Sequence, residues 1–359
     1  MPRALSFGMD ATGFAGMTRR ALLAALFSSA LLASSAVPSP ARGAASEQPQ
    51  VAYFRIATGP LAGTYFPVGQ AIANLVSKPP GSAPCGPGGR CGVPGLVATA
   101  QASEGSIANV RAVADGSVDS ALAQADVVDW AWRGANMFAK EGPRANLRVV
   151  ASLYRESVHL VARRGAGIAS VRDLAKKRVS LDVPGSGTGV DARLILSAYG
   201  LKERDLVASS LDLGRAADAL LAGQIDAFFF VGGWPAPAIA DLAARDAIDL
   251  VPIDGRGAAV LSARQPFLSP DVIPAGTYGG QPRIQTLGVG ALWIVSAEMD
   301  EERVYQLARA LFDPANRPLL EGGHPKAAEI RLGTALDGIS VPVHPGAMRY
   351  YRLMGVEAP

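Results

Sequence analysis

Four glycine-rich turns recur along this chain, each closing an apolar run of strand length and opening a segment with helical spacing. They are Thr58-Gly59-Pro60-Leu61-Ala62-Gly63-Thr64-Tyr65, Ser103-Glu104-Gly105-Ser106-Ile107-Ala108-Asn109, Pro184-Gly185-Ser186-Gly187-Thr188-Gly189 and Val231-Gly232-Gly233-Trp234-Pro235. Strand–turn–helix units joined this closely predict an α/β fold whose neighbouring strands run parallel with right-handed crossovers. Each turn aims the free N–H groups of a helix start at the carboxyl edge of the sheet, where such folds bind ligands. None of the turns contains a nucleophile with its base, a metal-ligand set or a lysine placed for phosphate chemistry.

The units fall into two series. In the first, Val51 to Thr58, Leu96 to Gln101 and Ser120 to Ala125 read as strands, and Val68 to Ser77, Ile107 to Asp115 and Val127 to Phe138 as helices. An apolar stretch from Leu147 to Ala162 follows, interrupted by Tyr154-Arg155-Glu156-Ser157. In the second series Ser170 caps a short helix with Asp173 three residues on, and Arg178 to Val183 and Asp226 to Phe230 are strands. Its helices are Val190 to Tyr199, Ala216 to Ala222 and one from Pro235. Gln285 to Ser296 reads as a strand crossing back to the first series, and Asp300 caps the next helix. Two like series predict two lobes with a cleft between them. The boundaries are residues 46–157 with 291–359 for lobe I, and 158–290 for lobe II.

Residues 1–45 read as a cleaved export signal. Met17-Thr18-Arg19-Arg20 precedes an Ala/Leu-rich stretch, and small residues follow near Ala41 to Ala45. The paired arginines suit twin-arginine export, although an ordinary secretory signal can also carry them. A membrane-spanning anchor is the weaker reading because the apolar run is short, and no cysteine near the cleavage region offers a lipid anchor. A periplasmic protein is expected. The full chain has 34 basic and 31 acidic residues, and removal of the signal takes Arg3, Arg19, Arg20, Arg42 and Asp10, which leaves equal numbers of each. Charge therefore offers nothing to nucleic acid.

Cys85 and Cys91 are the only cysteines, bracketing Gly86-Pro87-Gly88-Gly89-Arg90. In an oxidising compartment two cysteines this close read as a disulfide rather than a metal or redox site. The helix after the first glycine turn runs away from it, which places this loop on the face opposite the ligand turns.

No catalytic constellation emerges from the residues. Gly185-Ser186-Gly187 lacks the flanking glycines of a nucleophile elbow, and His159, His324 and His344 lie in no triad context. No cofactor or metal is expected. What remains is a set of amide and hydroxyl groups at helix starts, suited to an anion or zwitterion. Any one such turn can equally be connection geometry. Gln124 ends an apolar strand and either reaches the carboxyl edge or caps the next helix. Tyr65, Tyr154, Phe229 and Trp234 are candidates for apolar walls, with core packing as the alternative.

Together these segments resemble the TAXI family, the solute receptors of tripartite ATP-independent periplasmic (TRAP) transporters. The resemblance rests on Ala57-Thr58-Gly59, Gly63-Thr64-Tyr65-Phe66-Pro67-Val68-Gly69, Gly105 to Asn109, Ala123-Gln124-Ala125-Asp126, Pro184 to Thr188, Gly223-Gln224-Ile225-Asp226 and His344-Pro345-Gly346-Ala347. It implies a type II periplasmic-binding fold that closes on a small carboxylate such as glutamate, 2-oxoglutarate or a dicarboxylate. It further implies a monomer that delivers the solute to TRAP membrane permease subunits. Carried onto this chain, the contacts would be Gly63, Thr64, Tyr65, Ser106, Asn109, Gln124, Ser186, Gly187, Thr188, Phe229 and Trp234. The Cys85–Cys91 loop departs from the simpler family pattern. A type II binding protein serving an ATP-driven importer or a sensor kinase is the alternative, and a secreted enzyme on the same scaffold a more distant one.

Overall fold

The computed structural model describes residues 51–86 and 91–357. The expected export signal, residues 1–45, lies outside the described residues. No described helix is long and apolar enough to cross a membrane.

The strands are β1 (Ala52–Ala57), β2 (Ser77–Lys78), β3 (Val93–Pro94), β4 (Leu96–Gln101), β5 (Ser120–Gln124), β6 (Leu147–Arg163), β7 (Arg178–Ser180), β8 (Val207–Ser209), β9 (Ala227–Gly232), β10 (Ile248–Val251), β11 (Ser269–Ile273) and β12 (Ile284–Ser296). The α-helices are α1 (Tyr65–Val76), α2 (Ser106–Ala114), α3 (Ala125–Arg133), α4 (Thr188–Ala198), α5 (Leu213–Leu221), α6 (Pro237–Ala244), α7 (Gly255–Arg264), α8 (Glu301–Phe312), α9 (Arg317–Glu321) and α10 (Pro345–Leu353). All strands but β2 and β3 join one sheet in the order β4-β1-β5-β12-β6-β9-β7-β8, with β10 paired to β6 and β11 to β12.

Within that sheet one pattern occurs twice. The first half reads β4-β1-β5-β12-β6 and the second β8-β7-β9-β6-β10, so in each the first three strands stand second, first, third and a long antiparallel strand separates the third from the fourth. This repeated order, with helices packed on the sheet, is a type II periplasmic-binding arrangement. The long strands are the shared members. β6, of 17 residues, closes the first half with its start and lies inside the second with its end, and β12, of 13 residues, returns alongside it.

The parallel pairing expected from the strand–helix repeats holds within each half, and the long strands make the sheet a mixed one. β1 pairs parallel to β4 and β5, and β7 parallel to β8 and β9, but β12 and β6 run antiparallel to their neighbours. The polar break in the Leu147–Ala162 stretch is corrected, because β6 runs through Tyr154 to Ser157 without ending. β12 pairs with it from Leu147 to Ser157 and β9 from Ser157 to Ala162, so tertiary pairing overrides the loss of apolar pattern. α1 begins at Tyr65, ahead of the apolar spacing that starts at Val68. Pro67 fits there because the first turn needs no N–H from it.

Helix and strand faces meet in close-packed layers. Val68, Ile72 and Leu75 of α1 are fully buried in the cluster that contains Phe54 and Ile56 of β1 and Leu122 of β5. Each such side chain contributes roughly 1.5–3 kcal/mol through its removal from water. Asp300 caps α8 as its sequence context predicts, accepting a hydrogen bond from Arg303 N at 2.8 Å. Ser170 and Asp173 form the reciprocal cap at the start of the second half.

Candidate functional site

Three helices begin at one small cavity between the halves. Tyr65, Ser106 and Thr188, the first residues of α1, α2 and α4, all line it, together with residues of their preceding turns and the end of β9. It encloses about 40 Å³. The position follows from the strands: β1, β4, β7 and β9 each deliver the chain to the same edge, so the turns after them converge. Gly105 reaches α2 with φ of 119°, a region in which a side chain would be strained, and so lets the chain leave β4 and enter the helix over a short span.

The halves touch directly around this cavity. Gln124 Nε2 at the end of β5 donates to Asp191 Oδ2 of α4 at 2.7 Å, Thr64 Oγ1 donates to Gly233 O at 2.8 Å, and Ala108 N donates to Gly185 O at 3.0 Å. Gly187 lies against the Gln124 amide so closely that a Cβ there would stand 1.4 Å from Oε1. Such an approach is open only to glycine.

Of the residues expected at the site, Gly63, Thr64, Tyr65, Ser106, Gln124, Ser186, Gly187 and Thr188 line the cavity. Four others lie outside its lining. Asn109 is buried behind the wall, donating to Thr58 O and Leu122 O at 2.6 and 2.7 Å and accepting from Ser103 Oγ, so it ties two strand ends and a turn together. Phe229 faces the main core, and its neighbour Phe230 lines the cavity, because successive side chains of a strand point to opposite faces. Trp234 sits outside, with Lys326 Nζ 4.0 Å above its ring. Tyr154 lines a different, open groove of about 1110 Å³, beside Arg155 of β6, Trp130 of α3 and Phe267 of the connection from α7 to β11.

The acids were not anticipated. Glu104, Glu156 and Asp182 line the cavity, and no arginine, lysine or histidine does. Glu156 is only 1% exposed in the middle of β6, where Tyr65 Oη donates to its Oε2 at 2.7 Å. Burial pushes its carboxyl up to about 8, against the hydrogen bond from Tyr65. Asp182 accepts from Ser186 Oγ at 2.8 Å, and burial pushes it up to about 6. Immediately behind Gln124, Asp126 of α3 and Asp191 of α4 are buried carboxyls whose charges repel across the halves. Burial, and after it the Asp126 charge, hold Asp191 well above the ordinary carboxylate range. A charged residue inside an otherwise apolar strand was the available signal for Glu156, and the interruption at Tyr154 to Ser157 contained it.

Among the described residues, Ser186 and the three histidines are each held by other partners. Ser186 Oγ is bonded to Asp182, not to an imidazole. His159 lies between Ser157 O and Tyr278 Oη, each at 2.9 Å, and burial lowers it to about 4. His324 and His344 face the backbone carbonyls of Pro235 and Met299. Cys85 and Cys91 are joined, and Cys91 N donates to Asn316 Oδ1 at 3.2 Å near the far end of α1.

Among solved structures, the chain is similar to the alkanesulfonate-binding protein from Xanthomonas axonopodis pv. citri, at 16% identity over 84% of both chains with a TM-score of 0.43. It is similar to the periplasmic aliphatic sulphonate-binding protein from Escherichia coli at 15% identity, over 84% of this chain and 82% of that one, with a TM-score of 0.44. The ligand-binding component of an ABC-type import system from Staphylococcus aureus aligns at 10% identity, over 84% and 90%, with a TM-score of 0.47. A family model, that of the NMT1-like family, matches residues 56–355, and the chain belongs to that family.

Proposed function

We propose that this protein is an extracytoplasmic solute-binding receptor, exported to the periplasm, that captures a small organic molecule and hands it to a membrane transporter. One observation carries the reading. Two half-sheets of like topology meet through a few hydrogen bonds around a cavity lined by three helix starts, while only β6 and β12 run through both. We read this as two lobes hinged on two strands, and the boundaries expected from the sequence, 46–157 with 291–359 and 158–290, belong to that reading. Ligand contacts to both sides would favour the closed arrangement by their differential affinity.

Two transport partners fit a receptor of this kind. The match to the NMT1-like family suits the broader reading, a type II binding protein of an ATP-driven importer, better than the TAXI assignment, which rests on the sequence motifs alone. Delivery to TRAP permease subunits is the second reading, favoured by the ordered glycine motifs from Thr58 to Thr188. Uptake into proteoliposomes separates them. An importer stops when ATP is withheld, and a TRAP system stops when the ion gradient is collapsed.

A carboxylate on the ligand would find the N–H groups of α1, α2 and α4. The reading is of a receptor that binds without transforming, and it is supported by Ser186 being bonded to Asp182 and each histidine to a backbone carbonyl. The receptor reading is tested by a thermal-shift screen of the chain from Ala45 onward. Binding to the native state alone raises stability with the logarithm of ligand excess. Mass spectrometry of solute released on unfolding covers a ligand retained from expression. Turnover of a bound compound would sink the non-enzymatic reading.

A further inference from the structure

The cavity lining holds Glu104, Glu156 and Asp182 and no basic side chain to balance them. Tyr65 donates to Glu156, Thr64 to Gly233 O, Ser106 to Gln124 Oε1 and Ser186 to Asp182, so these side-chain protons are spent inside the wall. The Gln124 amide is committed to Asp191. Glu156, buried to 1% exposure, receives only the Tyr65 hydroxyl, and its Oε1 accepts no hydrogen bond among the described residues. With no base in the lining, burial keeps the Glu156 carboxyl protonated, and a cation filling the cavity would supply the countercharge that lets it ionise. The nearest cation felt by Glu156, Lys326, is buried outside the lining and bound to Glu329 at 2.8 Å.

We propose that the solute carries a positively charged nitrogen, an amine or amidine, that sits against Glu156 and Asp182. The inference rests on the receptor reading and narrows it. An amino acid or amine brings the missing positive charge, whereas 2-oxoglutarate and simple dicarboxylates bring only further negative charge beside the acids. A carboxylate elsewhere on the same molecule remains compatible with the helix starts. The cavity of about 40 Å³ has room for one ammonium-sized group.

The test is titration calorimetry and thermal shift with compounds paired by the presence or absence of the nitrogen: L-glutamate against 2-oxoglutarate and glutarate, γ-aminobutyrate against butyrate, putrescine against butanediol. The expected result is that binding is confined to nitrogen-bearing members. Glu156→Gln then weakens the best binder at least tenfold with the melting cooperativity kept, and Asp182→Asn serves in the same way if Glu156→Gln does not fold. Binding of the cation ionises Glu156, so the heat at neutral pH should differ between phosphate and Tris buffers by a released proton, a readout that a merely structural role would leave unchanged. If nitrogen-free acids bind at least as tightly and Glu156→Gln leaves them unaffected, the inference is wrong and the receptor reading stands. If no pair member binds and the purified chain releases no small molecule on unfolding, the receptor reading fails and takes the inference with it.

Discussion

Gly187→Ala should disable closure while leaving the fold intact. The backbone at Gly187 is right-handed helical, with φ of −70°, so alanine adopts it freely and even gains about 0.4–1 kcal/mol by restricting the unfolded chain. The penalty lies across the cleft. The new Cβ would stand 1.4 Å from Gln124 Oε1, 2.5 Å from its Cδ and 3.1 Å from Ser106 Oγ. Gln124 has to swing away, which breaks its 2.7 Å bond to Asp191 and leaves a buried acid with one acceptor fewer satisfied. A hydrogen bond to such a group is worth about 1.5–3 kcal/mol, so ligand affinity should fall about tenfold to a hundredfold. The assay is calorimetric titration with whichever compound stabilises the parent chain, beside a thermal melt without ligand. The steric account also demands that Gly187→Ala added to Gln124→Ala do no further harm, because the side chain it collides with has gone. An unchanged dissociation constant for Gly187→Ala, or full additivity in the double variant, would refute the reasoning.

Three further outcomes follow from the same structure. The Glu156 carboxyl is raised from 4.5 to about 8, so the native chain holds a proton that the unfolded chain releases; this stabilisation is full below about pH 4.5 and lost as pH rises to about 8. Asp126 and Asp182, raised to about 6, act in the same direction at lower pH, while His159, lowered to about 4, opposes them as pH falls below 6.5. The melting temperature of Glu156→Gln relative to the parent should therefore climb between pH 5 and pH 8, by stability on the order of a few kcal/mol, and parallel pH curves would contradict it. Leu122→Ala, at a fully buried site, should cost about 2–5 kcal/mol in urea unfolding, whereas Val207→Ala, 59% exposed, should stay within about 0.5 kcal/mol. Reduction of Cys85–Cys91 should lower stability by about 2 kcal/mol with ligand affinity unaltered, because the loop lies at the far end of α1 from the cavity; a lost ligand shift would place it at the site instead.

The alternation of strand and helix was legible because local spacing carries it. Leu96 to Gln101 matches its strand end for end, and most other elements differ by a few residues at their termini. The turns reached the cavity for the same reason, since each is bound to the strand before it. Phe229 and Phe230 show where this stops. Both are apolar and adjacent, and only the sheet decides which face meets the ligand side. Asn109 looked like a contact because its turn is one, but its hydrogen bonds to Thr58 and Leu122 depend on two strands brought beside it.

The sequence by itself determined the α/β class, the paired series of units and the edge at which their turns gather, because periodicity, glycine placement and helix starts act over a few neighbouring residues. Tertiary structure alone decided that β6 runs unbroken through Arg155, Glu156 and Ser157, that β12 lies between β5 and β6, and that Asp126 meets Asp191 across the halves. It also decided the chemistry of the cavity. Glu156 lies 91 residues from Tyr65 and Gln124 lies 67 from Asp191, and whether a carboxyl is charged or protonated depends on burial and on partners that only the folded chain supplies.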